Sequence, residues 1–155
     1  MDTEKLLAVD LGIRTGFAVY TNQPLILAYG SRNYGNASRL RRAAVSMIRE
    51  IPDLHYLVIE GGGPLAQAWS EEARRLGIAV QLTSADVWRK DILYSRERRS
   101  GIQAKQQAIQ MARRVIDHLN GPKPQTALQD DAAEAILCGW WALGKLGWLD
   151  PLPRL

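Results

Sequence analysis

The stretch Lys5-Leu-Leu-Ala-Val-Asp-Leu-Gly-Ile-Arg-Thr-Gly-Phe-Ala-Val-Tyr20 decides the fold. Its first part, Lys5–Asp10, is apolar up to a terminal acid, which is typical of a strand buried in a sheet. Gly12 marks a turn, and the run from Arg14 to Tyr20 predicts a second strand. We therefore expect the two strands to pair, with Asp10 at the end of the buried one.

The elements that follow extend this pair into a larger sheet. A polar link at residues 21–24 suits a hairpin to a third strand, Leu25–Ser31, so strands one to three predict an antiparallel meander. Beyond it, helical and strand periods alternate. The further predicted elements are a helix from Asn36 that Pro52 ends, a strand Tyr56–Glu60, a helix Pro64–Arg75, a strand Ile78–Leu82, a short helix around Val87 and Trp88, a helix Ile102–Leu119 and a largely buried helix Leu128–Leu146.

The order of these elements predicts the fold class. A meander that feeds alternating helices and strands indicates an α/β protein with a central mixed five-stranded sheet, flanked by helices, in which the later strands are parallel. The 155 residues, 46% apolar and 23% charged, fit a single domain over residues 1–155.

Composition excludes several classes of protein. No apolar run approaches the ~20 residues of a membrane span, so we expect no membrane partner. The single cysteine, Cys138, excludes an intramolecular disulfide framework and a multi-thiolate zinc site. The first residues lead directly into a strand-like run, so we also expect no secretory leader. We therefore expect a reducing compartment, the cytoplasm for a bacterial or phage-encoded protein, with an organelle as the alternative.

The net charge of +4 is unevenly distributed. Residues 89–114 hold eight Lys or Arg against two acids, a net charge of +6, and the remaining residues carry a net charge of −2. Such a focused basic segment is typical of a polyanion binder, although a solvated helix face is the other interpretation. The candidate nucleic-acid-binding residues are Arg89, Lys90, Arg96, Arg98, Arg99 and Lys105.

Acidic residues stand at three places where the predicted elements begin or end. Asp10 and Glu60 close the first and fourth strands, and the last helix carries Asp130, Asp131 and Glu134 at spacings of three and four. If the first and fourth strands are neighbours, all three places open into one cleft. Singly, each acid has a structural explanation as well, in a turn hydrogen bond or in the helix dipole.

A cluster of four carboxylates predicts a site for hard cations. Without cations the acids would repel each other, and their pKa values would rise. Oxygen ligands select Mg²⁺ or Mn²⁺, and two such ions can activate a water and stabilise the leaving oxygen of a phosphodiester. This chemistry needs neither histidine nor thiolate.

Four segments together carry a family resemblance. Leu7–Ala18 resembles the opening motif of RuvC-like Holliday junction resolvases, members of the RNase H-like superfamily, and Val58–Glu60 resembles their second motif. Gly101–Lys105 with Met111 is similar to their basic helix, and Asp131–Ala135 to their closing acidic motif. The resemblance runs from residue 6 to about residue 143 and implies an RNase H-like fold.

The resemblance also implies a function. It implies a structure-selective endonuclease that resolves four-way DNA junctions by paired symmetric nicks and works as a homodimer on branched DNA. The implied catalytic and metal-binding carboxylates are Asp10, Glu60, Asp131 and Glu134, with two Mg²⁺ per site. Lys105 would lie near the scissile phosphate. Asp130 stays open as an alternative ligand to Asp131, whose spacing to Glu134 matches the family motif.

The chain departs from the family pattern after the second acid. Several bacterial members carry an aromatic wedge there, whereas Glu60 is followed by Gly61-Gly62-Gly63-Pro64. Either Trp69 or another residue would then open the junction centre, or this protein would open it in a different way. The closing acid is Glu134, where many relatives have Asp. The tryptophans near the C-terminus are expected in the monomer core or in a dimer interface.

Other functions stay open at this stage. One is an RNase H-like nuclease that acts on RNA or an RNA–DNA hybrid, as in YqgF-like relatives. Another is a non-catalytic branched-DNA-binding protein that keeps the fold. An actin-like ATPase is disfavoured, because those proteins need two such domains around a nucleotide.

Overall fold

In the computed structural model, which describes residues 2–93 and 101–155, five strands form one sheet in the order β3-β2-β1-β4-β5. The strands are β1 (Lys5–Asp10), β2 (Arg14–Thr21), β3 (Leu25–Asn33), β4 (Leu54–Glu60) and β5 (Ala79–Thr83). The helices of these residues are α1 (Ala37–Glu50), α2 (Gly63–Arg75), α3 (Ala85–Ile92), α4 (Gly101–His118) and α5 (Asp130–Lys145). The predicted elements are all present.

The sheet is mixed, as predicted. β1, β2 and β3 pair antiparallel, and β4 pairs parallel with both β1 and β5. One row across the sheet joins residues from all five strands: Ser31, Gly16, Asp10, Glu60 and Thr83. The first and fourth strands are therefore neighbours, which was the condition for a shared acidic cleft.

Two hydrophobic cores lie on the two faces of the sheet, because successive strand residues alternate between faces. Leu7 and Val9 of β1 pack with α1 and α2. Leu6 and Ala8 pack on the opposite face with α3, α4 and α5. Twelve of the sixteen residues of α5 are buried, so this helix is the centre of the second core.

The structure tests the predictions about Trp69, the tryptophans of the last helix and the start of that helix. Trp69 is fully buried between α2 and the sheet, so the expectation that it opens a junction centre is wrong: an exposed wedge cannot come from the core. Trp140 and Trp141 are buried within the monomer. The last helix begins at Asp130 instead of Leu128, because Gln129 takes the extended conformation of an N-cap.

Part of the predicted basic segment falls in the gap between the two described ranges. The predicted phosphate-binding residues Arg96, Arg98 and Arg99 lie outside the described residues. Among the residues that are described, no helix combines the length and the apolar character that crossing a bilayer requires.

Candidate active site

Asp10 and Glu60 lie side by side at the carboxyl ends of β1 and β4. They are direct partners in the parallel register of the two strands. By alternation their side chains belong to the face that packs against α5. Glu60 is only 8% exposed, so its carboxylate lies below the surface of the protein.

Helix α5 enters this corner of the sheet through a gap at Gly16. A Cβ atom at Gly16 would lie 1.8 Å from the backbone carbonyl oxygen of Asp131, so only glycine permits this approach. Gly16 is also the partner of Asp10 in the antiparallel register of β1 and β2. The first turn of α5 therefore crosses the sheet beside Asp10, which brings Asp131 and Glu134 to the strand ends.

The four predicted acids influence one another electrostatically. Burial, the charge of Glu60 and a side-chain hydrogen bond with Glu60 raise the pKa of Asp10 from its ordinary value of 3.8 to about 9, and Glu134 and Asp131 add smaller rises. Burial and the charge of Glu60 raise the pKa of Glu134 from 4.5 to about 7, although Arg89 opposes this rise. The carboxylates thus share one poorly hydrated space.

Each acid contributed by β4 or α5 has a protein partner. The indole Nε1 of Trp88 donates to Glu60 Oε1 at 2.7 Å, and Arg89 donates to Glu134 Oε1. Further contacts are Ser31 Oγ to Asp131 Oδ1 at 2.5 Å, Arg14 Nε to Asp131 Oδ2 at 3.3 Å, and Lys105 Nζ to Asp130 Oδ2 at 3.3 Å. Hydrogen-bond donors and basic side chains of the protein therefore hold these acidic side chains in place.

The two adjacent aspartates of α5 have different surroundings. Asp131 is 9% exposed and contributes to the raised pKa of Asp10. Asp130 is more exposed and pairs with Lys105 at the rim of the cleft. We therefore favour Asp131 as the cation ligand, in line with the sequence motif, and place Asp130 and Lys105 at the entrance.

Several functional candidates have no signal of their own in the sequence. Ser31 lies in the same row of the sheet as Asp10, but the sequence marks it only as a strand end. Trp88 is completely buried in the core on the side of the sheet that α5 covers. Its contact with Glu60 could have been suspected, because a buried indole N–H usually finds a hydrogen-bond partner.

The donor set fits a hard cation, although the acids are paired with protein groups. In the described part of the chain, no three His, Cys, Asp or Glu side chains are arranged to hold a metal ion as they stand. Among the described residues, Glu134 Oε2 is nevertheless buried without a hydrogen-bond partner, and Asp131 Oδ2, which also accepts no hydrogen bond there, lies 3.3 Å from Arg14 Nε. Buried oxygens of this kind are suitable ligands for Mg²⁺ or Mn²⁺.

The raised pKa values predict how stability depends on pH. Without divalent cations, the free energy of unfolding should fall as the pH rises from about 4 to about 9, because folded Asp10 keeps a proton that the unfolded chain releases. Glu134 adds to this slope between its ordinary pKa of 4.5 and about 7. Urea unfolding in EDTA measures the effect, and Asp10→Asn should remove most of it. Equal stability of the wild type at both ends of this range would contradict the prediction.

Comparison with known proteins agrees with the predicted fold. The chain is similar to T. thermophilus RuvC in a structure with a Holliday junction substrate, with a TM-score of 0.59, 12% identity, and coverage of 94% of this chain and 97% of that chain. No protein-family model matches the sequence, and no curated protein matches it. At this identity the likeness shows the fold, which is the RuvC-like form of the RNase H-like architecture.

Proposed function

We propose that this protein is a divalent-cation-dependent endonuclease that resolves four-way DNA junctions. The observation that carries the proposal is the convergence of Asp10 and Glu60 from neighbouring strands with Asp131 and Glu134 from α5. The structural neighbour, RuvC, holds a Holliday junction substrate, which supports branched DNA as the partner.

The proposed roles follow from the positions of the residues. Asp10, Glu60, Asp131 and Glu134 would hold up to two Mg²⁺ or Mn²⁺ ions. When bound, such ions supply an activated water and stabilise the leaving oxygen of the phosphodiester. The charge of Arg89 offsets that of Glu134 when no other cation does so.

Basic residues at the rim would bind the DNA backbone. Lys105 is 65% exposed, and Lys90 of α3 is exposed as well. Contacts of Lys and Arg with phosphates make binding fall steeply as salt rises. Because a four-way junction presents two strands of like polarity, paired nicks need two sites, and we propose a two-fold homodimer to supply them.

Cleavage assays on three substrates test the proposal. The protein is incubated with a synthetic four-way junction, the matching linear duplex and an RNA–DNA hybrid, in Mg²⁺ or in EDTA. We expect paired symmetric nicks in the junction alone, and none in EDTA. Equal cleavage of the hybrid would favour the RNA-directed nuclease. Tight junction binding without cleavage would favour a non-catalytic DNA-binding protein.

A further inference from the structure

We propose that Trp88 is a positioning residue for Glu60: its indole N–H holds the carboxylate in the orientation in which it binds a divalent cation. The inference rests on the proposed function, and it assigns to α3 a task in the active site. It is carried by a hydrogen bond between two groups that are both removed from water.

The contact between the two side chains is short and buried. Trp88 Nε1 donates to Glu60 Oε1 at 2.7 Å, and the exposed fractions are 0% for Trp88 and 8% for Glu60. In such surroundings water cannot replace the indole as donor. Without this donor, Glu60 would keep its side-chain hydrogen bond with Asp10 but lose the one from an uncharged donor.

The choice of donor suits a cation ligand. An indole offers one N–H and carries no charge, so it fixes one carboxylate oxygen and leaves both the negative charge and the second oxygen available. Glu134 shows the contrast, because its partner, Arg89, is itself a cation that compensates the carboxylate. Neighbouring residues of α3 thus serve two acids in different ways.

Helix α3 is anchored so that Trp88 cannot turn away. Asp91 Oδ2 accepts from Trp141 Nε1 at 2.7 Å and lies 3.3 Å from Lys145 Nζ, which ties α3 to α5. The Arg89 guanidinium lies 5.1 Å from the centre of the Trp88 ring. The position of the indole is therefore fixed by the anchoring of α3 to α5 and by the contact with Arg89.

The first test compares Trp88→Phe with Trp69→Phe. Both tryptophans are fully buried, but Trp69 packs on the opposite face of the sheet, and its Nε1 has no hydrogen-bond partner within residues 2–93 and 101–155. In the absence of DNA, Mn²⁺ should raise the unfolding temperature of the wild type. Trp88→Phe should need about tenfold more Mn²⁺ for half of this rise, whereas Trp69→Phe should match the wild type.

A second measurement does not depend on a Trp88 variant that folds. In ¹H–¹⁵N spectra of the cation-free protein, the Trp88 indole N–H resonance should shift on Glu60→Gln, and the Trp69 resonance should not. An unchanged Trp88 resonance, or equal Mn²⁺ requirements of the two Trp→Phe variants, would overturn the positioning role alone. A wild type that Mn²⁺ does not stabilise would instead overturn the proposed function.

Discussion

The Asp10→Asn variant is expected to cleave a four-way junction at least about a thousandfold more slowly than the wild type, while it becomes more stable without cations. Asp10 interacts electrostatically with the other three acids, and the amide keeps its shape but removes a charge that a cation needs. The same charge disfavours the cation-free fold, because Glu60, Glu134 and Asp131 all raise the pKa of Asp10. Loss of activity and gain of stability should therefore occur together.

A substitution that lowers activity but raises stability identifies a residue that is kept for function. Activity is measured as the initial cleavage rate in Mg²⁺, and stability by urea unfolding in EDTA at about pH 8. We expect the free energy of unfolding of Asp10→Asn to exceed that of the wild type by a value on the order of 2 kcal/mol. Glu50→Gln, at an exposed acid on α1, is the matched control and should change neither value. A less stable Asp10→Asn protein would show that Asp10 has a structural role instead.

The Gly16→Ala variant is expected to lose at least about 3 kcal/mol of stability, more than most single substitutions. The added Cβ would lie 1.8 Å from the carbonyl oxygen and 2.3 Å from the carbonyl carbon of Asp131, both of them backbone atoms. Backbone atoms within a buried helix cannot turn aside as a side chain can. Helix α5 would have to move away from β2, and its acids would leave the cleft.

Urea unfolding of Gly16→Ala beside Gly62→Ala tests this expectation. Gly62 has an extended backbone with φ −151°, and a Cβ there meets no atom within 4 Å. We expect Gly62→Ala to cost less than about 1 kcal/mol. If the two variants were equally stable, the close approach of α5 to the sheet at Gly16 would be refuted.

The sequence carries most of the information about the sheet and the acids. β1 and β4 are apolar up to Asp10 and Glu60, so both the strands and the acids at their ends can be recognised locally. The row that joins them follows once β1 and β4 are neighbours. The alternation of elements predicts the parallel strands, whereas the adjacency of β1 and β4, on which the acidic cleft depends, is a condition that the structure meets.

The partners of the acids depend on tertiary packing and leave no local pattern. Ser31 meets Asp131 across 100 residues of sequence, and Trp88 meets Glu60 across 28. Arg89 was predicted from charge as a DNA ligand, and the structure places it against Glu134. A count of charges shows that cations are present in a segment, but it does not show which of them turn inward.

The burial of α5 has a consequence for how such a protein can diversify. Asp131 and Glu134, the proposed cation ligands, are carried by the helix that fills the second core, so the acidic cleft cannot be remodelled without disturbing the interior. The exposed rim, with Lys90 and Lys105, carries no such restriction. For the proposed nuclease, substrate preference can therefore change at the rim while the acidic cleft stays fixed.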